Sequence, residues 1–160
     1  MIELKPAMPV DAVELTDVQM RTFDEDSRAH GQGERGGPPG YDSVAWQIDM
    51  MQRGQYFKLV DTQRIIGGAI VFDYGCGHFE LGRIYLDPEF QNRGLGSIAM
   101  QLIEQQFPTA ERWTLDTPHW AKRNHHFYEK LGYVKVREEA IDELGGLRLF
   151  FYEKEIERGA

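Results

Sequence analysis

The chain has 160 residues, a length typical of one domain, and its 41% hydrophobic and 28% charged residues exclude a disordered protein. A formal net charge of −8 argues against nucleic acid as the main partner, because phosphate binding needs concentrated Lys and Arg. Cys76 is the one cysteine and no secretory leader is recognisable, so we expect a protein of the reducing cytoplasm. No apolar run approaches the roughly 20 residues that span a bilayer, so we expect no membrane partner. We expect a single domain over residues 1–160.

The first third of the chain predicts one strand and two helices, with a long loop between the helices. The strand is predicted over 2–7 and the first helix over about 10–30. Residues 31–41 hold five glycines and two prolines and are therefore a loop. Asp42 or Ser43 is a suitable N-cap for the second helix, which ends near Arg53 with Gly54 as its stop.

The middle of the chain predicts three strands followed by the clearest helix of the sequence. The strands are predicted over 56–61, 65–74 and 78–86, with hairpin turns in the breaks between them. The helix is predicted over Ser97–Phe107 and ends before Pro108. It is amphipathic, since its apolar residues recur at helical spacing as one stripe: Leu95, Ile98, Ala99, Leu102 and Ile103.

The last third predicts a strand, a helix and a final hairpin, over 112–117, 122–131, 133–141 and 147–156, with the hairpin turn at Glu143–Gly146. The predicted order is therefore β α α β β β α β α β β. A strand–helix–strand unit around Ser97–Phe107 requires a locally parallel pair, whereas the flanking hairpins require antiparallel pairs. We therefore predict an α/β (α+β) fold, a central twisted mixed sheet of about seven strands flanked by helices.

The segment Asp87–Ser97 carries the strongest chemical signal in the sequence. A strand ending at Leu86 runs into a loop with Gly94 and Gly96, and this loop leads straight into the amphipathic helix. Such an arrangement points backbone N–H groups and the positive end of a helix at one place, which suits a diphosphate. The loop is too short for a Walker A motif and lacks the third glycine of a dinucleotide fingerprint, so ATP and NAD are disfavoured.

Two motifs follow each other in the second half of the chain. Residues 91–96 read QNRGLG, and Asn124 is followed by FYEKLGY at Phe127–Tyr133. The first is similar to the QxxGxG pyrophosphate loop of the GNAT acetyltransferase superfamily, and the second to the N…FYxKxGF segment that closes the coenzyme A site of that superfamily. The element order matches over almost the whole chain. This resemblance implies an N-acetyltransferase with acetyl-CoA as co-substrate and an amine as acceptor.

The resemblance also implies a set of residues that bind the coenzyme. Main-chain groups of the strand before the loop would pair with the pantetheine arm, at Ile84, Tyr85 and Leu86. The loop would hold the pyrophosphate, mostly through backbone N–H groups, at Gln91, Asn92, Arg93, Gly94, Leu95, Gly96 and Ser97. The next helix would complete the site with Asn124, Phe127 and Tyr128.

By the same resemblance, Tyr128 would be the general acid for the departing thiolate. A tyrosine with a pKa near ~10 keeps its proton at neutral pH and can donate it as charge develops on sulfur. The incoming amine must lose a proton, and Glu80, on the strand leading to the loop, is the candidate acceptor, directly or through a water. Asp116 is the second candidate. A main-chain N–H near Ile84–Leu86 would stabilise the tetrahedral oxyanion.

The acceptor is the question that the sequence leaves open. A small-molecule amine is the first hypothesis; a protein N-terminus or lysine and a non-catalytic acyl-CoA-binding regulatory module are the alternatives. The resemblance implies that the loop 31–41 and the aromatic residues Trp46, Tyr56 and Phe57 line the acceptor side; the alternative is a surface loop with core aromatics. No metal is expected, because His125 and His126 diverge by about 100° on a helix. The apolar segment 147–152 is either a central strand or an interface, so a homodimer stays open.

Overall fold

A computed structural model describes residues 1–141 and 146–157 of the protein. Within these ranges the predicted elements occur in the predicted order, as β1 (Ile2–Pro6), α1 (Ala12–Ala29), α2 (Val44–Arg53), β2 (Gln55–Asp61), β3 (Arg64–Asp73), β4 (His78–Leu86), α3 (Leu95–Gln106), β5 (Arg112–Pro118), α4 (Lys122–Lys130), β6 (Val134–Ile141) and β7 (Leu147–Glu155). Residues 143–145 of the turn predicted at Glu143–Gly146 lie outside the described residues, so that turn stays a prediction.

The chain divides into two compact units, each with its own part of the sheet. The first comprises Met1–Phe72 and Arg83–Pro108, and the second comprises Asp73–Gly82 and the residues described from Thr109 onward. The boundary crosses β4, so its first half belongs to the second unit and its second half to the first. The seven strands are hydrogen-bonded in one sheet, in the order β1-β2-β3-β4 and then β4-β5-β7-β6.

The first unit is a sheet covered on both faces. β2 pairs antiparallel with β1 and with β3. β3 is buried continuously from residue 65 to residue 71, which is the pattern of a strand with no solvent-exposed face. One apolar cluster joins the sheet to α1 and α2, with Leu15, Val18, Tyr56, Ile70 and Tyr85 among its members. A second cluster joins the sheet to α3, with Leu59, Ile66, Ala99 and Leu102 among its members.

The second unit contains the parallel pair that the sequence predicted. β4 pairs parallel with β5, from His78 opposite Arg112 to Glu80 opposite Thr114. β7 then pairs antiparallel with both β5 and β6. The predicted mixed sheet flanked by helices is thereby confirmed.

The ends of α2 follow from local chemistry. Of the two predicted caps, Ser43 performs the capping, because its Oγ accepts a hydrogen bond from the backbone N–H of Trp46 at 3.1 Å. Gly54 is the C-cap, and its N–H donates to the carbonyl oxygen of Met50 at 2.9 Å. Because the helix begins directly after Ser43, Trp46 lies in its first turn.

The helices are short or polar. α1 has 18 residues and carries Glu14, Asp17 and Arg21. Across residues 1–141 and 146–157, no helix is both long and apolar enough to cross a membrane. The same ranges hold no group of three or more His, Cys, Asp or Glu side chains placed to bind a metal ion.

Candidate active site

The loop between β4 and α3 begins its helix with a left-handed residue. Gly94 is the N-cap of α3, with φ 75° and ψ 4°, a conformation that glycine adopts without steric cost. No side chain forms a capping hydrogen bond at this end of α3. The first N–H groups of a helix have no intrahelical partners, and together with the helix dipole they attract anions. The geometry of the loop is therefore suited to a diphosphate.

A buried carboxylate fixes the start of this loop. The side chain of Asp87 is 4% exposed, and its Oδ2 lies 2.7 Å from Nη2 of Arg21 in α1. Its Oδ1 accepts a hydrogen bond from the backbone N–H of Glu89 at 3.1 Å. Gln91 Nε2 donates to the carbonyl oxygen of Leu86 at 2.9 Å. These bonds tie the loop to α1 and to the end of β4.

The residues predicted to bind the coenzyme from the first unit differ in exposure. Ile84 and Leu86 pack against the cluster that includes α3, whereas Tyr85 belongs to the cluster that includes α1 and α2. The loop residues Asn92, Arg93 and Gly94 are exposed, and Leu95, Gly96 and Ser97 are half-buried. The loop backbone is thus open to a ligand at its tip and anchored at both ends.

The predicted residues of α4 are held by neighbours in the second unit. Asn124 Nδ2 donates to Oγ1 of Thr117 in β5 at 3.2 Å. Tyr128 is 7% exposed, and its ring packs edge-on against Phe127 and Tyr133 at centroid distances of 5.4 and 5.9 Å. α4 therefore carries one polar contact to the sheet and one tightly packed tyrosine, four residues apart on one face.

An open pocket of about 230 Å³ lies on the sheet of the second unit. Both candidate general bases line it: Glu80 in β4 and Asp116 in β5. Glu80 Oε2 accepts a hydrogen bond from the hydroxyl of Tyr74 at 3.1 Å. The structure therefore brings the two carboxylates that the sequence singled out to the same surface.

The surroundings of Asp116 favour its protonated form. Partial burial contributes most to raising the pKa of this carboxyl, the negative charge of Glu80 adds to it, and the positive charge of Arg137 opposes it. Elsewhere in the pocket, Arg112 Nη1 pairs with Oε1 of Glu153 at 3.1 Å. The pocket thus combines carboxylates with basic groups.

Comparison with known families decides the classification. The sequence profile of the "Acetyltransferase (GNAT) family" matches residues 16–133. The chain belongs to the GNAT acetyltransferase family. The matched range includes the loop after β4 and all the coenzyme-binding and catalytic residues that the GNAT resemblance singled out, from Glu80 to Tyr128.

One curated protein shares part of the sequence, and solved acetyltransferase structures share the fold. A stretch of 73 residues is 33% identical to the "Uncharacterized protein YrkN" of Bacillus subtilis strain 168, covering 45% of this chain and 40% of that protein. This chain therefore matches less than half the length of that relative. An acetyltransferase of Thermus thermophilus superposes with a TM-score of 0.76 at 19% identity, over 98% of this chain and 97% of that one. The PaiA N-acetyltransferase of Thermoplasma acidophilum, solved in complex with coenzyme A, gives 0.75 at 17% identity, over 98% and 99%.

The GNAT motif residues are distributed over both units. The loop 91–97 belongs to the first unit, and Asn124, Phe127 and Tyr128 belong to the second. Sequence reasoning missed a buried polar network in the first unit, which joins Gln19, Gln47, Tyr56, Arg83 and Tyr85. One signal for it exists in the sequence, because Gln19 follows Leu15 by four residues and so places a polar group on the apolar stripe of α1.

Proposed function

We propose that the protein transfers the acetyl group of acetyl-CoA to an amine of a small-molecule acceptor, by direct attack within a ternary complex. The observation that carries this proposal is the start of α3 at left-handed Gly94, where no side chain caps the helix, in a chain of the GNAT family. The family match covers residues 16–133 and runs through both units, which supports our proposal of one acetyltransferase domain over residues 1–160. We place this domain in the cytoplasm because Cys76 is its one cysteine, as expected of a protein in a reducing compartment.

The coenzyme would be bound mainly through the backbone. Main-chain groups of Ile84, Tyr85 and Leu86 would pair with the pantetheine arm as an added strand does. The N–H groups of the loop 91–97 would bind the pyrophosphate at the start of α3. Asn124 and Phe127 would contribute from α4.

The chemistry requires three proton transfers: from the acceptor to the base, from Tyr128 to the sulfur, and from the nitrogen back to Tyr128. Glu80 takes a proton from the ammonium form of the acceptor, directly or through a water, and the free amine nitrogen attacks the thioester carbonyl carbon. A backbone N–H near Ile84–Leu86 stabilises the oxyanion of the tetrahedral intermediate. When that intermediate collapses, the carbon–sulfur bond breaks and the hydroxyl of Tyr128 protonates the sulfur. The proton released from the nitrogen restores Tyr128, so the products are an N-acetylated amine and the free thiol.

Asp116 is the second candidate for the base. It lines the same pocket as Glu80, and its raised pKa makes it a stronger proton acceptor once it is ionised. The pH–rate profiles of Glu80→Gln and Asp116→Asn separate the two. The acidic limb of the profile is lost in the variant that lacks the base and kept in the other.

Calorimetric titration with acetyl-CoA tests the coenzyme site. Gly94→Asp places a carboxylate at the start of α3 and is expected to abolish binding. Gly75→Asp is the matched control, because Gly75 has φ 84°, like Gly94 has no neighbouring atom in the path of a side chain, and lies in a turn of the other unit. Loss of binding in Gly94→Asp with retention in Gly75→Asp supports the site. No binding of any acyl-CoA to the unmodified protein would overturn it and leave QNRGLG as a structural turn.

Amine acetylation, followed by release of the coenzyme thiol, tests catalysis. Tyr128→Phe is expected to lower kcat by about 10²–10⁴, the usual contribution of a general acid, while the Kd for acetyl-CoA stays unchanged. Tyr133→Phe controls for the removal of a hydroxyl from the same aromatic cluster. Binding of acetyl-CoA without turnover of any amine would favour the non-catalytic regulatory module. Turnover of peptides with a free N-terminus or lysine, but not of small amines, would favour a protein acceptor.

A further inference from the structure

Arg83 lies at the meeting point of three elements of the first unit. Its Nη1 donates to Oε1 of Gln19 in α1 at 3.2 Å, and its Nη2 donates to the carbonyl oxygen of Pro39 in the loop before α2 at 2.8 Å. Its guanidinium carbon lies 4.2 Å from the ring centre of Trp46, in the first turn of α2. A guanidinium held on two sides and stacked on an indole is fixed in orientation.

This guanidinium has spare hydrogen-bonding capacity. An arginine carries five N–H donors, and the two bonds to Gln19 and Pro39 use one on each terminal nitrogen. The bond to Pro39 is solvent-exposed and the bond to Gln19 is partly buried, so the Nη2 end of the guanidinium is the end nearer to solvent. Two neighbouring donors of a guanidinium match the two oxygens of a carboxylate.

Among the residues that the structure describes, no carboxylate forms an ion pair with Arg83. Within residues 1–141 and 146–157, its hydrogen bonds go to an amide and a carbonyl oxygen, and no Asp or Glu contributes to its electrostatic surroundings. Burial lowers the pKa of the guanidinium to about 10, which shows how much solvation this cation has lost. Leaving a desolvated charge without a counter-ion is costly for a protein.

The nearby hydroxyls do not supply the missing negative charge. Tyr56 and Tyr85 are the ionisable groups that act on Arg83, and burial raises the pKa of Tyr56 to about 12 and that of Tyr85 well above its ordinary value. Both stay neutral at physiological pH. The contrast with Asp87 is direct, because there a buried carboxylate in the same unit is paired with Arg21 at 2.7 Å.

We propose that Arg83 binds the carboxylate of the acceptor, so that the amine acetylated by this protein belongs to an amino acid or a related amino-carboxylate. The inference rests on the proposed acetyltransferase function and adds its substrate class. Arg83 directly precedes Ile84 in β4, so the strand segment assigned to the pantetheine arm also carries the anchor. Trp46 shields one face of the guanidinium and Gln19 holds it, which makes Gln19 a positioning residue.

Matched pairs of acceptors test the proposal. Glycine, β-alanine and a set of α-amino acids are each compared with their primary amides, which keep the amine and remove the negative charge. The unmodified protein is expected to prefer the acids by about 10- to 100-fold in kcat/KM, the range that charge-assisted hydrogen bonds supply. Arg83→Gln is expected to remove this preference by raising KM for the acids while leaving the amides unchanged. Arg53→Gln, an exposed arginine of α2, is expected to keep it.

Three results would overturn the proposal. One is equal or faster turnover of the amides by the unmodified protein, which needs no variant and so does not depend on how a variant folds. Another is an equal loss for acids and amides in Arg83→Gln, the sign of a structural role alone. The third is a retained preference for the acids in Arg83→Gln when its thermal unfolding is unchanged, because the anchor would then lie elsewhere.

A binding measurement separates this proposal from the proposed function. The side-chain Nε resonance of Arg83, assigned by its absence in Arg83→Lys, is followed during titration with N-acetylglycine and with N-acetylglycinamide. A shift with the first compound alone supports a carboxylate site even if no acetyl-CoA binds. Acetyl-CoA binding and amine turnover without such a shift would overturn the carboxylate site and leave the acetyltransferase function standing.

Discussion

Two buried tyrosine hydroxyls of the first unit, those of Tyr56 and Tyr85, are expected to differ in how much stability the protein loses when each is removed. The Oη atoms of Tyr56 and Tyr85 lie 2.6 Å apart, and Tyr56 Oη also lies 2.6 Å from Oε1 of Gln47. The amide of Gln47 is oriented by its Nε2, which donates to two backbone carbonyl oxygens. Because Oε1 can only accept, Tyr56 donates to Gln47, and Tyr85 must then donate to Tyr56.

The direction of these hydrogen bonds determines how much stability each variant is expected to lose. Tyr85→Phe removes one donor and leaves no buried donor without an acceptor, so we expect a loss of about 1 kcal/mol in the free energy of unfolding. Tyr56→Phe leaves both the Tyr85 hydroxyl and Gln47 Oε1 without their partner. Tyr56, Tyr85 and Gln47 are 4%, 3% and 0% exposed, so water cannot replace the lost bonds. We expect Tyr56→Phe to cost about 2–4 kcal/mol, since each unsatisfied buried group costs about 1–3 kcal/mol.

Urea unfolding at pH 7, with the m-value checked for constancy, measures these differences. The double variant Tyr56→Phe/Tyr85→Phe is expected to be no less stable than Tyr56→Phe, because it removes the orphaned donor together with its former acceptor. Equal losses in the two single variants would refute the assigned direction of the hydrogen bonds. So would strict additivity in the double variant.

Two further predictions concern pH. Burial raises the pKa of Tyr56 to about 12 and that of Tyr85 well above its ordinary value, so unfolding releases protons at alkaline pH. The free energy of unfolding is therefore expected to fall between pH 10 and 12, and less steeply in Tyr85→Phe. Equal slopes of the two proteins in alkaline urea titrations would contradict this. The pKa of Asp116 is raised in the folded state, so its ionised form destabilises the fold above that pKa. Asp116→Asn is therefore expected to raise Tm at pH 7 but not below pH ~3, where the carboxyl is protonated in both states. Thermal scans that show no gain in Tm at pH 7 would contradict this cause.

The sequence predicted the order of the elements, and their ends to within two residues, because those depend on neighbouring residues; α3 begins at Leu95 rather than at the predicted Ser97. Ser43 caps α2 through a bond to an N–H only three residues away, and Gly54 ends the same helix. The parallel pairing of β4 with β5 followed from the helix between them, since one crossover allows few arrangements. The glycine-containing loop after β4 was visible for the same reason, as strand, loop and helix succeed one another in the chain.

Only the tertiary structure decided which polar groups are buried together and which buried cation has no carboxylate beside it among the described residues. Gln19 and Arg83 are separated by 64 residues, and Arg21 and Asp87 by 66, so no pattern within a helix or strand connects them. Asp116 and Glu80 could be named as candidate bases from the sequence, but their shared pocket depends on the register of β4 with β5. Helical and strand periodicities extend over a few residues, whereas desolvation and ion pairing depend on every chain segment that packs nearby. The sequence therefore determined the GNAT loop, and the fold determined the unbalanced cation of Arg83.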